Sequence, residues 1–188
     1  MDKNPEQVTE LIFALLEEKG QAEYFGEPVS QIEHAFQSAQ LAQAAGYDSE
    51  VILAALLHDI GHLCAVEEEA PMQDLGMLRH EQIGARFLRD EGFSEKICRL
   101  VEGHVQAKRY LTFVDPDYYE RLSEASRQTL VFQGGIMTAD EAQAFTQDEL
   151  FELMIQMRRW DEAAKEEGLA LPDFALFKVM LLNHLSGG

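Results

Sequence analysis

Apolar residues recur along this chain at intervals of three and four, the spacing of one face of an α-helix. Val8, Leu11, Ile12 and Leu15 mark such a face in a first helix, which Gly20 is placed to end. The pattern predicts a second helix over Gln31–Gly46 and a third over Ser49–Leu63, capped by Asp48 or Ser49. Residues 65–76 carry three successive glutamates, a proline and a glycine, so a loop is predicted there. Further helices are predicted over Leu78–Glu91, Ser94–Tyr110, Asp117–Phe132, Ala139–Glu167 and Asp173–Leu185. Ser94 and Asp173 are N-cap types, and Gly92, Gly134, Gly135 and Gly168 supply stops. There is no strand alternation of useful length, internal repeat or low-complexity linker. The expected fold is all-α, a single helical bundle spanning residues 1–188.

Composition adds bounds rather than detail. The 188 residues suit one core, and 46% apolar with 26% charged residues is an ordinary globular balance. Acids outnumber bases 34 to 15, a net charge of −19. That excess argues against nucleic acid, whose affinity comes from clustered Lys and Arg, and against an anionic membrane surface. No apolar run approaches the ~20 residues that span a bilayer. The polar, acidic start MDKNPEQVTE lacks the features of a secretory or transit signal. Two cysteines, Cys64 and Cys98, fit reduced thiols better than a disulfide framework. The expectation is a soluble cytoplasmic protein, a monomer or small homo-oligomer. At first sight the charge also speaks against a small anionic substrate.

The histidines carry the chemistry. His58 and Asp59 are adjacent inside AALLHDIGHL, with His62 one turn further on. An ionisable pair within an Ala/Leu run is buried, and a buried carboxylate is costly unless paired or bound to a cation. A structural His–Asp hydrogen bond at a helix end is the plain alternative. His34 (IEHA), His80 (RHEQIGARFL) and His104 (VEGHVQAKRYL) each lie on a strongly apolar helix. Taken singly, such histidines are ordinary core residues. With Asp59 and Asp161 (RRWDEAAK) they make four imidazoles and two carboxylates from five helices. That mixed N/O set suits iron, manganese, zinc or cobalt. Six ligands are too many for one metal that keeps an open position. Two metals bridged by Asp59 is the better arithmetic.

The order His34, His58–Asp59, Asp161 resembles the HD superfamily, and the inserted His80 and His104 resemble its dinuclear oxygenase branch. Similarity extends through EYFGEPVSQIEHA, VILAALLHDIGH, RHEQIGARFL, VEGHVQAKRYL, LSEASRQTLVFQGGIM, RRWDEAAK and NHLS, nearly the whole chain. These segments are most similar to the mixed-valent diiron oxygenases that act on 2-amino-1-hydroxyethylphosphonate and its N-methylated relatives. The resemblance implies a single HD domain holding two iron ions, Fe(II)/Fe(III). His34, His58, Asp59 and Asp161 would hold one, and Asp59, His80 and His104 the other. It implies an organophosphonate and O2 as partners, with glycine or glycine betaine and phosphate as products. It makes Tyr24 a movable iron ligand and places Ser126 and Thr129 in a phosphonate pocket. Glu27 would meet the substrate's ammonium end or order the loop around it.

Helical spacing adds three cations beside the ligands. Lys108 follows His104 by four, His62 follows His58 by four, and Arg158 precedes Asp161 by three. Such cations suit a phosphonate dianion, and two iron ions would exceed the charge of Asp59 and Asp161 locally. Tyr110, Phe113, Tyr118 and Tyr119 offer aromatic faces for a quaternary ammonium, with packing as the simpler role. His184 is expected to be structural. Rival functions are a metal-dependent phosphohydrolase, the majority chemistry of HD proteins, and a metal-bound scaffold without turnover.

Overall fold

The computed structural model describes residues 3–24, 26–64 and 79–187, so the loop expected over 65–76 lies outside the described residues. In chain order the helices are α1 (Pro5–Lys19), α2 (Gln31–Ala44), α3 (Ser49–Leu57), α4 (His80–Asp90), α5 (Glu95–Val114), α6 (Pro116–Arg121), α7 (Glu124–Phe132), α8 (Ala139–Phe145), α9 (Phe151–Ala163) and α10 (Ala175–Leu185). A short 3-10 turn, Ile60–His62, follows α3. No β-strand forms among the described residues, where a single isolated bridge joins Glu23 to Ser30. The all-α bundle is therefore as expected.

Helix α1 buries Val8, Thr9, Ile12, Phe13 and Leu16. The apolar stripe is rotated from the expected one, leaving Leu11 42% exposed. Phe13 sets that rotation by joining Phe36, Phe174 and Phe177 in a ring cluster. The Phe36 and Phe174 rings stack at 4.4 Å, and Phe177 meets Phe36 edge-on at 5.2 Å. Pairs of this kind contribute about 0.5–1.5 kcal/mol each beyond their burial, and here they fasten α1, α2 and α10 together. Helix α5 runs through the centre, packed on α3, α4 and α9. Cys64 and Cys98 are buried free thiols, and burial pushes both up to about 11, so they act as small packing groups. His184 accepts the Ser94 backbone N–H at 3.1 Å, a structural role at the start of α5.

Three expected helices are shorter than their periodicity suggested. The predicted Asp117–Phe132 helix breaks at Leu122 and Ser123, both extended, because Ser123 caps α7 by accepting the Ser126 N–H. Ala139–Glu167 divides after Phe145, where Asp148 binds Arg99 at 2.7 Å and accepts the Leu150 N–H. Helix α9 then stops at Ala163, and the carbonyl of Ala164 receives a hydrogen bond from His34 instead of continuing the helix.

The third helix ends at Leu57, with His58 as its C-cap and Asp59 off the helical path at φ −103°, ψ 10°. Gly61 explains what the turn then achieves. A Cβ at this position would lie 2.0 Å from the His80 carbonyl and 2.9 Å from the Gly84 nitrogen. Backbone-to-backbone approach here seats the turn on α4 and lays the His62 ring on the His80 ring at 4.0 Å. Gly61→Ala is expected to cost about 1–3 kcal/mol, seen as a lower denaturation midpoint, because backbone must move to admit the methyl group.

Candidate active site

The expected metal ligands converge from α2, the end of α3, α4, α5 and α9. Three imidazoles are oriented alike. His34 Nδ1 donates to Ala164 O at 2.9 Å, His58 Nδ1 to Ala55 O at 2.8 Å and His104 Nδ1 to Val101 O at 2.7 Å. With Nδ1–H so used, each ring presents an Nε2 lone pair to the interior. His34 Nε2 and His58 Nε2 stand 3.0 Å apart, and His80 Nε2 and His104 Nε2 stand 3.1 Å apart.

Asp59 lies between these two pairs. Its Oδ2 is 3.8 Å from His34 Nε2 and 3.5 Å from His58 Nε2, while Oδ1 is 3.2 Å from His80 Nε2 and 3.5 Å from His104 Nε2. Asp161 Oδ1 completes the first cluster at 3.4 Å from His34 Nε2. Adjacent ligands about 2.1 Å from a metal are separated by about 3.0 Å in an octahedron and about 3.4 Å in a tetrahedron. The spacings match. The facing lone pairs of His34 and His58 also repel unless a cation separates them. The donor set fits two cations bridged by one carboxylate.

Electrostatics follow from burial. Burial pushes the Asp59 carboxyl up, but the surrounding imidazoles outweigh it and hold Asp59 well below the usual carboxylate range. Asp161 is held similarly low, against its burial, mainly by Arg158. Burial lowers His104 to about 3, keeping the imidazole neutral and able to ligate. Burial and the charge on His80 lower His62 well below the ordinary histidine range. Tyr24 donates to Asp59 Oδ2 at 2.7 Å and stacks on His34 at 4.0 Å. Burial, with Asp59 and Asp161 adding to it, raises its phenol well above normal.

A cavity of about 450 Å³, its open mouth included, lies over this cluster. Tyr24, Glu27, His62, Lys108, Ser126, Thr129 and Arg158 all line it. His62 also offers a nitrogen within 4.8 Å of the Asp59 and His80 ligand atoms. Lys108 is 4% exposed and donates to Thr129 Oγ1 at 2.9 Å. Burial, reinforced by Arg158, lowers its ammonium to about 7.

Two of the expected substrate contacts are already engaged. Arg158 binds Asp161 through a short ion pair, contacts Glu162 Oε1 at 3.0 Å and Tyr118 Oη at 3.1 Å, and reaches Ser126 Oγ at 3.4 Å. It thus orients a candidate ligand as well as facing the cavity. Glu27 accepts from Lys165 Nζ at 2.6 Å and Ser123 Oγ at 2.5 Å, tying its loop to α7 and the end of α9. Among the described lining residues, Tyr24 is the only phenylalanine, tyrosine or tryptophan. Tyr110 instead packs on Phe145 and Phe151, Tyr118 serves Arg158, and Phe113 is exposed.

Lys165 and Gln133 line the cavity without having been singled out from the sequence. Their signal was present. Lys165 follows Asp161 by four and Gln133 follows Thr129 by four, the same interval that picked out Lys108.

The HD domain family matches residues 32–144. A [1-hydroxy-2-(trimethylamino)ethyl]phosphonate dioxygenase (glycine-betaine-forming) of Leisingera caerulea is 39% identical, over 95% of this chain and 90% of the relative. A hydroxymethylphosphonate dioxygenase of Gimesia maris is 38% identical, over 92% and 86%. An uncharacterized protein of Acanthamoeba polyphaga mimivirus is 36% identical, over 98% and 86%. The chain belongs to the HD-domain family, and within it to the phosphonate dioxygenases.

Proposed function

We propose that this enzyme oxidatively cleaves the carbon–phosphorus bond of a 1-hydroxyalkylphosphonate, using two iron ions in the Fe(II)/Fe(III) state. The substrate we infer is 2-amino-1-hydroxyethylphosphonate or its N-trimethyl analogue, giving glycine or glycine betaine and phosphate. For the amino compound the reaction balances as substrate plus O2 to glycine plus phosphate, with no external reductant. The observation that carries this reading is the pair of facing imidazole clusters on either side of Asp59, beneath a cavity walled by Lys108, Ser126 and Thr129. The dioxygenase relatives support the oxidative chemistry.

His34, His58, Asp59 and Asp161 would hold one iron, and Asp59, His80 and His104 the other. Iron at these positions supplies the redox chemistry of oxygen activation. The chain's own contribution is binding and placement. Lys108 holds the phosphonate by a charge-assisted hydrogen bond, with the hydroxyls of Ser126 and Thr129 beside it. His62, kept neutral by burial, lines the cavity as a hydrogen-bonding group for the substrate. Arg158 holds Asp161 in register and directs its remaining N–H groups to the phosphonate. Tyr24 covers the His34 side and gives way to substrate, while Glu27 and Lys165 fix the loop that carries it. The whole chain serves as one such unit. Metal analysis tests the metal assignment. Two irons per chain and an EPR signal from a coupled mixed-valent pair are expected, whereas one metal, or full activity with zinc, contradicts it.

Lys108→Ala is expected to keep both metals and raise KM about 10–100-fold, the value of a charged hydrogen bond. A pH profile gives an independent check. Lys108 loses its proton above about pH 7 in the free site, and a bound dianion favours the protonated form. KM is therefore expected to rise between pH 7 and 9 in the wild type. Lys108→Arg, charged throughout, is expected to flatten that rise.

A further inference from the structure

His34 differs from His58 and His104 in where it finds its support. Those two set Nδ1 against carbonyls of the same helix three residues earlier, Ala55 O and Val101 O. His34 instead donates to Ala164 O at 2.9 Å, 130 residues away in sequence. Helical geometry fixes a carbonyl three residues back. It does not fix one just past the end of α9, where the last carbonyls lack partners within the helix. The orientation of His34 therefore depends on what holds the chain after Ala163.

Gln37 holds it. This residue lies one turn after His34 in α2 and is 7% exposed. Its side chain meets a single residue at two points. Nε2 donates to Glu166 O at 2.9 Å, and Oε1 accepts the Glu166 N–H at 3.0 Å. An amide carries both a donor and an acceptor, so it can satisfy the N–H and C=O of one residue together. Lys165 sits between the two anchors. Its Nζ donates to Glu27 Oε1 at 2.6 Å and Ser123 Oγ at 3.4 Å, and the residue lines the cavity. Three successive residues thus have three tasks. Ala164 steadies a candidate metal ligand, Lys165 ties down the cavity loop, and Glu166 is gripped by Gln37.

We propose that Gln37 is a positioning residue for the active site. By clamping Glu166 it keeps the Ala164 carbonyl on His34 and the Lys165 ammonium on Glu27. Ligand orientation and loop closure then share one support. The inference rests on the two-metal reading given above.

The test compares Gln37→Leu, Gln37→Glu and Lys165→Met. Gln37→Glu keeps the size and the acceptor for the Glu166 N–H, but turns a carboxylate oxygen toward the Glu166 carbonyl. Apo proteins are titrated anaerobically with Fe(II), and Tm is measured without metal. KM is measured with 2-amino-1-hydroxyethylphosphonate. In both Gln37 variants the iron on the His34 side is expected to bind about 10-fold less tightly, with the other iron unchanged. KM is expected to rise about 3–10-fold. Lys165→Met is expected to raise KM and leave both iron affinities as they were. Metal-free Tm is expected to change little in Gln37→Leu, because Glu166 is exposed and water can satisfy its freed backbone groups. Gln37 variants with wild-type iron affinity overturn the inference, and a weakened iron with unchanged KM overturns the shared support. Loss of both irons together with a lower metal-free Tm also overturns it, being the pattern of a merely structural residue. A wild type that binds a single iron overturns the two-metal reading, and this inference with it.

Discussion

Asp59→Ala is expected to give a folded protein that has lost both metals, with C–P cleavage below detection. The reason is geometric. Each carboxylate oxygen of Asp59 faces a different imidazole pair, Oδ2 toward His34 and His58, and Oδ1 toward His80 and His104. Deleting it would take a candidate donor from both positions and leave two metal charges close together with no anion between them. Asp161→Ala is the control, since Asp161 Oδ1 lies near His34 and His58 alone. That variant is expected to retain the metal on the His80–His104 side. Metal stoichiometry, with circular dichroism to verify folding, separates the two. A bridging Asp59 gives near zero against one, and equal losses contradict the bridge.

Arg158→Met should carry the largest cost to stability, about 3–5 kcal/mol, because it breaks a buried ion pair by removing one partner. Arg158 is 3% exposed and Asp161 4%. Without the guanidinium, Asp161 loses its main counter-charge and Glu162 loses an ion-pair partner. Metal changes the outcome, since a cation held by Asp161 replaces part of the missing positive charge. Denaturant midpoints measured with and without Fe(II) are expected to differ more for Arg158→Met than for the wild type. Lys108→Ala, which breaks no ion pair among the described residues, is expected to leave the midpoint nearly unchanged. The two cations were indistinguishable in sequence, and this pair of variants separates an organiser of the ligands from a substrate anchor.

The convergence of the six candidate ligands was legible because a helix repeats every 3.6 residues and because burial makes polar groups conspicuous. Imidazoles and carboxylates within Ala/Leu-rich stretches needed an explanation, and convergence supplied it. Interval reasoning also placed Lys108, His62 and Arg158 on the cavity. What helical spacing does not encode is which partner a side chain chooses. Glu27 was expected to meet an ammonium group or to order its loop, and the partner it takes is Lys165, 138 residues away in sequence. Arg158 looked like a free cation, yet Asp161 and Glu162 hold it. Helix ends were missed for a related reason. Ser123, Asp148 and Ala164 stop helices by hydrogen-bonding to backbone or to distant side chains, a choice that local periodicity does not record. The net charge of −19 misdescribed the pocket because most of the acids lie elsewhere, while Lys108, Lys165 and Arg158 line the cavity.

The central claim is that phosphate release from a 1-hydroxyalkylphosphonate is oxidative. Its most direct test follows O2 and phosphate together in iron-loaded protein, first in air and then under strict anaerobiosis. One O2 consumed per phosphate released is expected, with release ceasing when oxygen is removed. Phosphate release that continues without oxygen contradicts the account and identifies a hydrolase.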